Sequence, residues 1–168
     1  MSGIMLTINT AKACPDADDH SRAVAVAHEV ITAEVYSRLA DVEPIWRALT
    51  AGNIESPGQS YDFIRLWVKD RDVSEADQCY VVGRVGGQPV ALLPLHRKRV
   101  YGLSVFTWFP GANAGCYAPI VDLDRLVALG EDGRYRLWQA MTGALSGAHA
   151  IYLRSIPQDV GGHAGIFD

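Results

Sequence analysis

Residues 79–111 read CYVVGRVGGQPVALLPLHRKRVYGLSVFTWFPG. This stretch alternates β-branched and aromatic runs with short turn signals, a pattern typical of consecutive β-strands. Gly86-Gly87 supplies the positive φ angles of a tight turn, and Tyr101-Gly102 turns the chain again. Pro94 cannot donate a ladder hydrogen bond, which predicts an edge position or a β-bulge there. We therefore predict an antiparallel meander with strands at residues 79–85, 89–97 and 103–109.

Two short helices are predicted before the meander. The first is capped by Asp41, carries Pro44 in its first turn and ends at Gly52. The second is capped by Ser60 and spans residues 61–69. Apolar residues recur at helical spacing in both, so each helix is expected to bury one face. These residues are Val42, Ile45, Trp46 and Leu49 in the first helix, and Phe63, Ile64, Trp67 and Val68 in the second.

The remaining segments complete the order of elements. The β-branched segment 23–32 predicts a first strand, and residues 34–39 connect it onward. Residues 117–121 predict a short strand after the meander, residues 122–133 a turn of helix and a loop, and residues 149–156 a last strand. A third helix lies before that strand. Its predicted buried face is Tyr135, Trp138, Met141, Thr142 and Leu145, widened by Leu137 and Ala144.

Composition predicts a single domain. The chain has 168 residues, of which 49% are hydrophobic, enough for one substantial core. We expect this domain at residues 23–168, after a small, polar and flexible leader at residues 1–22. The three cysteines have no paired spacing, no secretory leader is seen, and no apolar run approaches ~18 residues. These features predict a cytoplasmic protein without a membrane span.

The charge of the chain argues against a nucleic-acid partner. There are 15 Lys and Arg residues and 19 Asp and Glu residues, so no positive field would attract a phosphate backbone. One dense basic run, HRKR at residues 96–99, follows a predicted strand. We interpret it as a charged, solvated strand end, with an anion site as the alternative.

Four segments, in this order, resemble one protein family. They are EPIWRAL at residues 43–49, SPGQSYDFIRLW at 56–67, GGQPVALLPL at 86–95 and the glycine-rich loop ending in Cys116-Tyr117. Through them, residues 42–156 resemble the N-terminal half of the CelD/BcsL-like, FemAB-related branch of the GNAT acyltransferase superfamily.

The resemblance implies a GNAT-like α/β (α+β) fold, with a mixed, mostly antiparallel sheet flanked by helices. It also implies a parent protein of two GNAT-like halves, in which the second half binds acetyl-CoA or another acyl-CoA. A small amine-bearing acceptor would attack the thioester there. The implied partner of this chain is a C-terminal GNAT half, or a second copy of the chain. Family members are often linked to exopolysaccharide or cell-envelope metabolism.

The phosphate-binding loop of the superfamily, Q/R-x-x-G-x-G/A, has no full match in this sequence. The nearest approach is Gln158, Gly161 and Gly162, in a tail for which no helix or strand is predicted. His163 stands where the motif has Gly or Ala, and a side chain there would obstruct close approach to the backbone. We therefore interpret this loop as structural, with cofactor binding as the alternative.

Four polar residues at the loop ends of the predicted sheet are expected to face a substrate, as hydrogen-bond donors or acceptors: Gln59, Tyr61, Asn113 and Tyr117. Tyr117 is also a candidate general acid toward a leaving thiolate, or else a loop anchor through its hydroxyl. Cys116 replaces the acid that the family has before this Tyr. It is interpreted as a small buried side chain, with a nucleophile as the alternative. The sequence has no spacing typical of a metal site or a Ser-His-Asp triad.

We therefore expect this chain to be the N-terminal half of an acyl-CoA-dependent N-acyltransferase. It would supply scaffold and one wall of the acceptor cleft, without catalysis of its own. One alternative is a self-contained small acetyltransferase that binds CoA at the Gln158 loop. The other is a non-catalytic module that binds or dimerises through exposed sheet edges.

Overall fold

A computed structural model describes residues 29–52, 54–110 and 117–164, so the predicted leader at residues 1–22 lies outside it. The strands are β1 Ile31–Tyr36, β2 Gln78–Val85, β3 Gln88–Val100, β4 Leu103–Trp108, β5 Ile120–Val121, β6 Ala150–Ile151, β7 Asp159–Val160 and β8 His163–Ala164. The helices are α1 Leu39–Leu49, α2 Tyr61–Asp70, α3 Leu123–Ala128 and α4 Gly130–Gly143, with 3-10 turns at Pro57–Gln59 and Glu75–Asp77.

The architecture is a mixed, mostly antiparallel sheet flanked by helices, which confirms the predicted fold class. The strand order in the main sheet is β1-β2-β3-β4-β6, and β5 pairs with β3 beside β4. β4 and β6 run parallel, while the other pairs in the main sheet are antiparallel. β7 and β8 form a separate small hairpin.

The central meander is confirmed. β2, β3 and β4 pair with each other in chain order. Gly86 and Gly87 turn with φ of +57° and +80°, and Tyr101 and Gly102 with φ of 50° and 82°. Two successive positive φ angles give the hairpin turn whose twist matches antiparallel strands. Tyr101 adopts this conformation at a cost of about 1 kcal/mol, because its Cβ crowds the backbone there.

Pro94 lies at a local edge of β3, as its missing N–H predicts. β3 pairs with β5 up to Leu92 and with β4 from Leu95 onward. Residues 93–94 pair with β2 on one side, and on the other side, between these two partners, they face no strand in the described part of the chain. The bulge of the β2–β3 ladder lies elsewhere, at Gly83/Arg84.

Residues 23–28 of the predicted first strand lie outside the described residues, and the first described strand extends beyond the predicted end. β1 overlaps the predicted strand 23–32 only at its end, and the segment 34–39 is strand and helix instead of a connection. β1 pairs with β2 over its whole length, from Ile31 beside Val85 onward. Because it is an edge strand, exposed residues such as Glu34 alternate with half-buried ones, and this polar alternation made the segment resemble a loop.

α1 confirms the first predicted helix but not its ends. Its N-cap is Arg38, not Asp41, and the carboxylate of Asp41 instead lies 3.3 Å from the Arg38 guanidinium across the first turn. Pro44 consequently lies in the second turn, at an exposed position where water can bond the carbonyl that proline leaves free. The helix ends before Thr50, so Gly52 does not end it.

α2 confirms the second predicted helix. The hydroxyl of Ser60 accepts a hydrogen bond from the N–H of Phe63 at 3.3 Å, which is the predicted cap. The prediction that Phe63 is buried is wrong, since its side chain is 37% exposed. α2 faces the sheet with Tyr61, Ile64 and Val68, at i, i+3 and i+7, and this rotation turns Phe63 toward solvent.

The segment after the meander is more helical than predicted. β5 confirms the short strand expected within residues 117–121. Residues 122–133 hold all of α3 and the first turn of α4 instead of a turn and a loop. The Asp122 carboxylate begins α3 by accepting a hydrogen bond from the N–H of Arg125 at 3.1 Å.

α4 confirms the third helix, with a rotated buried face. Its buried residues are Gly133, Leu137 and Met141. They lie over Gly83 of β2, where an added Cβ would stand 2.7 Å from both the Leu137 Cδ1 and the Met141 Sδ. This close approach sets the rotation of the helix. Of the predicted face, Met141 is buried, Trp138 and Leu145 are half-buried, and Tyr135 and Thr142 are exposed, contrary to prediction.

The last predicted strand, at residues 149–156, is mostly not a strand. β6 covers two residues of it. The N–H groups of His149 and Tyr152 extend the contact by donating to carbonyls of β4 at 2.8 Å. The N–H of Tyr152 forms the last of these backbone hydrogen bonds to β4, and beyond it the chain diverges from β4 and leaves the sheet. The tail, for which no element was predicted, forms the β7–β8 hairpin.

Strand alternation divides the core into two layers. Helices α1 and α2 cover one face of the sheet, where Tyr80, Val82 and Leu92 point. Helices α3 and α4 cover the other face, where Val81 and Leu93 point. We call these the α1/α2 face and the α3/α4 face.

Candidate functional site

An open groove lies on the α1/α2 face, at the end of the sheet that α1 and α2 leave uncovered. It has a volume of about 490 Å³. β3 contributes His96 and Lys98, β4 contributes Val105 and Thr107, and α2 contributes Trp67. We call this site the sheet groove. Its size falls in the range of small-molecule binding sites.

The segment after β6 provides the other side of the sheet groove, through Tyr152 and Arg154. Hydrogen bonds to β4 hold this segment in place. The N–H of Tyr152 donates to the carbonyl of Phe106 at 2.8 Å. The indole N–H of Trp108 donates to the carbonyl of Arg154 at 3.2 Å. The parallel contact between β4 and β6 therefore positions two side chains of the groove.

His96 is the polar residue most enclosed by aromatic rings in the sheet groove. Its ring centroid lies 5.5 Å from that of Trp67 and 5.4 Å from that of Phe109. Its Nδ1 is buried and has no hydrogen-bond partner in the described part of the chain. Burial lowers the pKa of His96, and the positive charge of Lys98 adds to this, while Asp77 and the backbone of Trp108 and Thr107 oppose it. The imidazole is therefore neutral at pH 7.

The charge that lines the sheet groove is positive. Lys98 and Arg154 are both exposed, and no Asp or Glu lines the groove among the described residues. The carboxylate near His96 is that of Asp77, which already accepts hydrogen bonds from the Arg97 guanidinium at 3.0 Å. The whole chain carries a formal net charge of −4, so this positive region is a local exception.

Gln59, a predicted substrate residue, is buried and forms hydrogen bonds within the protein. Its side-chain carbonyl accepts a hydrogen bond from the N–H of Glu55 at 2.7 Å, and its amide donates to the carbonyl of Pro119 at 3.3 Å. Its backbone carbonyl accepts a hydrogen bond from the indole of Trp46 at 2.7 Å. These bonds join the loop before α2 to α1 and to the strand segment at β5. Substrate contact by Gln59 stays a prediction.

Tyr61 lies close to Gln59, at the same covered end of the α1/α2 face. Its ring packs edge-on against Trp46 at 5.8 Å, and the Arg47 guanidinium carbon lies 4.7 Å from its ring centroid. Burial raises the pKa of the Tyr61 phenol, and a hydrogen bond to Glu43 adds to this. The ring is 6% exposed, so it has little surface for a ligand.

Tyr117 is positioned as a loop anchor. Its hydroxyl donates to the carbonyl of Pro110 at 2.8 Å, and its N–H donates to the carbonyl of Ser155 at 3.0 Å. The ring stacks on Trp108 at 6.1 Å and lies against Gly58, where an added Cβ would stand 3.0 Å from it. This geometry favours the anchoring alternative over a general acid. Asn113 and Cys116 lie outside the described residues.

The Gln158 loop contains the turn of the β7–β8 hairpin. Gly161 and Gly162 have φ of +59° and +81°. Their N–H groups donate to carboxylates: that of Gly161 to Glu55 at 3.1 Å, and that of Gly162 to Asp159 at 3.0 Å. A pyrophosphate would have to displace both carboxylates, so the geometry favours a structural turn over a cofactor loop.

Trp67, Tyr152 and Arg154 have no signal in the sequence that predicts a site. His96 and Lys98 belong to the basic run at residues 96–99, for which an anion site is the alternative interpretation. Strand alternation separates this run: Lys98 lines the groove, whereas Arg97 bonds Asp77 and the carbonyl of Ala76. The sequence does not indicate that Tyr152 and Arg154 reach this groove, because they do so through the parallel pairing of β6 with β4, two strands that lie far apart in the chain.

Other site types find no support in the part of the chain that the structure describes. No group of three or more His, Cys, Asp and Glu side chains there could hold a metal ion. Every helix there is too short or too polar to cross a lipid bilayer. No protein family, curated protein or solved structure matches this chain.

Proposed function

We propose that this chain is the N-terminal GNAT-like half of a cytoplasmic, acyl-CoA-dependent N-acyltransferase, and that the sheet groove forms one wall of its acceptor cleft. The order and pairing of elements carry this proposal. A strand, two helices, a meander, further helices and a last strand follow one another, which is the order that supports the sequence resemblance, and the last strand runs parallel to β4. The sheet groove lies where that last strand meets β4, and it is large enough for a small acceptor.

The chemistry divides between the two halves of the parent protein. The acceptor amine attacks the thioester carbonyl, a C–N bond replaces the C–S bond, and the thiol of CoA leaves. Acyl-CoA and the groups that act on it belong to the other half. In this chain, the aromatic rings of Trp67 and Tyr152, which line the groove, contact the apolar part of the acceptor.

The proposal is tested by acyl transfer in the full natural protein. The release of the CoA thiol would be followed with acetyl-CoA and a panel of small amines, for the parent and for a pair of Tyr→Ala variants. Tyr152→Ala removes an exposed ring from the groove, and we expect KM for the acceptor to rise about tenfold, as for one lost aromatic contact. Tyr135→Ala, an exposed ring on α4, is the matched control and should change nothing. No transfer with any acyl-CoA, or equal effects of the two variants, would contradict the proposal.

The self-contained acetyltransferase is separated from this proposal by thermal unfolding of the chain itself. A ligand at ~100 times its Kd stabilises the folded state by about 2.7 kcal/mol, which raises Tm by roughly 5 to 10 °C for a domain of this size. We expect acetyl-CoA to leave Tm unchanged, since the Gly161 and Gly162 N–H groups already bond carboxylates. A rise of that order would support the self-contained enzyme.

A dimerisation module remains a second candidate because β1 lies at the end of the sheet order and, among the described strands, pairs only with β2. The other edge of its six residues has no strand beside it in the described part of the chain, and Val35 there is 48% exposed. Sedimentation equilibrium of the chain distinguishes this candidate. A concentration-dependent dimer that Val35→Lys weakens, without acyl transfer in the full natural protein, would favour it.

A further inference from the structure

We propose that the sheet groove binds a small organic anion: a flat apolar body that carries a carboxylate or another negatively charged head group. This inference rests on the proposed function in one respect, since it names the class of acceptor for the same groove. If both hold, the amine that accepts the acyl group belongs to a molecule that also carries an anionic group.

The charge of the groove selects the sign of the ligand. Lys98 and Arg154 line it, and no carboxylate lines it among the described residues. Asp77, the acidic group near His96, is held by Arg97. An ammonium ligand without an anionic group would therefore meet two like charges and no counter-charge, whereas an anion would gain two favourable partners.

The walls of the groove select the body of the ligand. Trp67 and Tyr152 supply aromatic rings, and Val105 supplies an aliphatic surface between the strands and the segment after β6. Trp67 is kept in place by an edge-on contact with Phe109 at 5.8 Å. A planar apolar group gains both burial and ring stacking in such a site, so inorganic anions would use only part of it.

The two cationic side chains supply the polar contacts of the groove. Lys98 comes from β3 and Arg154 from the segment after β6, and both are exposed. The Nδ1 of His96 is enclosed by the protein, so we assign no ligand contact to it. Lys98 and Arg154 therefore provide the charge for an anionic head group, and the aromatic walls provide the surface for its apolar body.

The test uses three probes with the same body and different head groups: 2-naphthoate, 2-naphthyl phosphate and 2-naphthylmethylamine. Their binding to the 168-residue chain would be measured by calorimetry, with NMR of the Trp67 indole N–H to locate the site. We expect the two anions to bind and the amine not to. The tighter of the two anions identifies the head group as carboxylate or phosphate. Inorganic phosphate is the fourth ligand and should bind much more weakly than the naphthyl anions.

A matched pair of variants tests the assignment to this groove. Lys98→Ala should weaken the binding of naphthoate about fivefold or more, the loss expected for one charged contact. Arg99→Ala is the control, because it removes a neighbouring charge on the same strand that does not line the groove. Both residues are exposed, so neither variant should unfold the chain.

Several results would overturn the inference: no binding of either anion, equal binding of the amine, equal binding of inorganic phosphate, or equal effects of Lys98→Ala and Arg99→Ala. These outcomes are separate from those of the acyl-transfer assay. Anion binding without acyl transfer would leave the inference standing and contradict the proposed function. Acyl transfer without anion binding would do the reverse.

Discussion

The two ends of the α1/α2 face differ in whether their polar groups form hydrogen bonds within the protein. At the end covered by α1, the indole of Trp46 and the side chain of Gln59 both form hydrogen bonds inside the protein. At the open end, the Nδ1 of His96 has no partner among the described residues, and Lys98 and Arg154 are exposed beside it. The covered end uses its polar groups for stability, whereas the open end has a buried nitrogen without a partner and two exposed charges that another molecule can reach.

The largest effect is expected when the covered end loses its central ring. Trp46 is fully buried, and Trp46→Ala should lower the free energy of unfolding by about 3–5 kcal/mol, through the cavity and the lost indole hydrogen bond. Trp67→Ala, at the open end, should cost only about 1–2 kcal/mol, because that ring is half-buried. Urea unfolding followed by circular dichroism measures both.

This pair of tryptophans makes the comparison quantitative. Each variant removes the same side chain from the same face, so the two values differ only through burial and hydrogen bonding. Equal losses of stability would show that the open end contributes as much to the core as the covered end, and the distinction between the two ends would fail.

A smaller effect is expected at Gln59. Gln59→Leu keeps most of the volume but leaves the N–H of Glu55 and the carbonyl of Pro119 without their partner, which should cost about 1–3 kcal/mol. Urea unfolding provides the value. The acyl-transfer assay on the full natural protein shows whether the substitution also lowers activity. A loss of activity at unchanged stability would make Gln59 a substrate residue, as first predicted from the sequence.

The smallest effect concerns the pH dependence of stability. The pKa of His96 is lowered in the folded protein, so the unfolded chain binds a proton more readily. The free energy of unfolding should therefore be unaffected by this group above its ordinary value of 6.5 and should fall as the pH drops below it. His96→Phe should remove this part of the loss, because an aromatic ring without nitrogen fits the contacts with Trp67 and Phe109.

Urea unfolding of the parent and of His96→Phe at pH 7.5 and pH 5.5 tests this expectation. These two pH values lie on either side of 6.5, the ordinary pKa of histidine. Glu34 and Asp62, whose pKa values are lowered by partners, lose their contributions at lower pH than these two values. An equal decrease in the parent and in His96→Phe would show that His96 does not contribute.

Local signals in the sequence were sufficient for the meander and the two helices before it. The turn at Gly86-Gly87 and the cap at Ser60 act through neighbouring residues, so their effect is visible in the chain itself. The rotation of α4 was not predictable, because it depends on Gly83, which lies far away in the sequence. The same reason explains the site: Tyr152 and Arg154 meet His96 only through the pairing of β6 with β4.

The strands of the main sheet are joined over very different distances along the chain. β2, β3 and β4 are linked by two-residue turns, so each finds its neighbour locally. β6 reaches β4 only after the chain from residue 109 to residue 149 has been brought round, and its ladder is two residues long. Because long connections disfavour pairing and a two-residue ladder offers few hydrogen bonds, we expect β6 to pair late during folding and to separate early. The sheet groove needs Tyr152 and Arg154, so it is complete only in the fully folded chain.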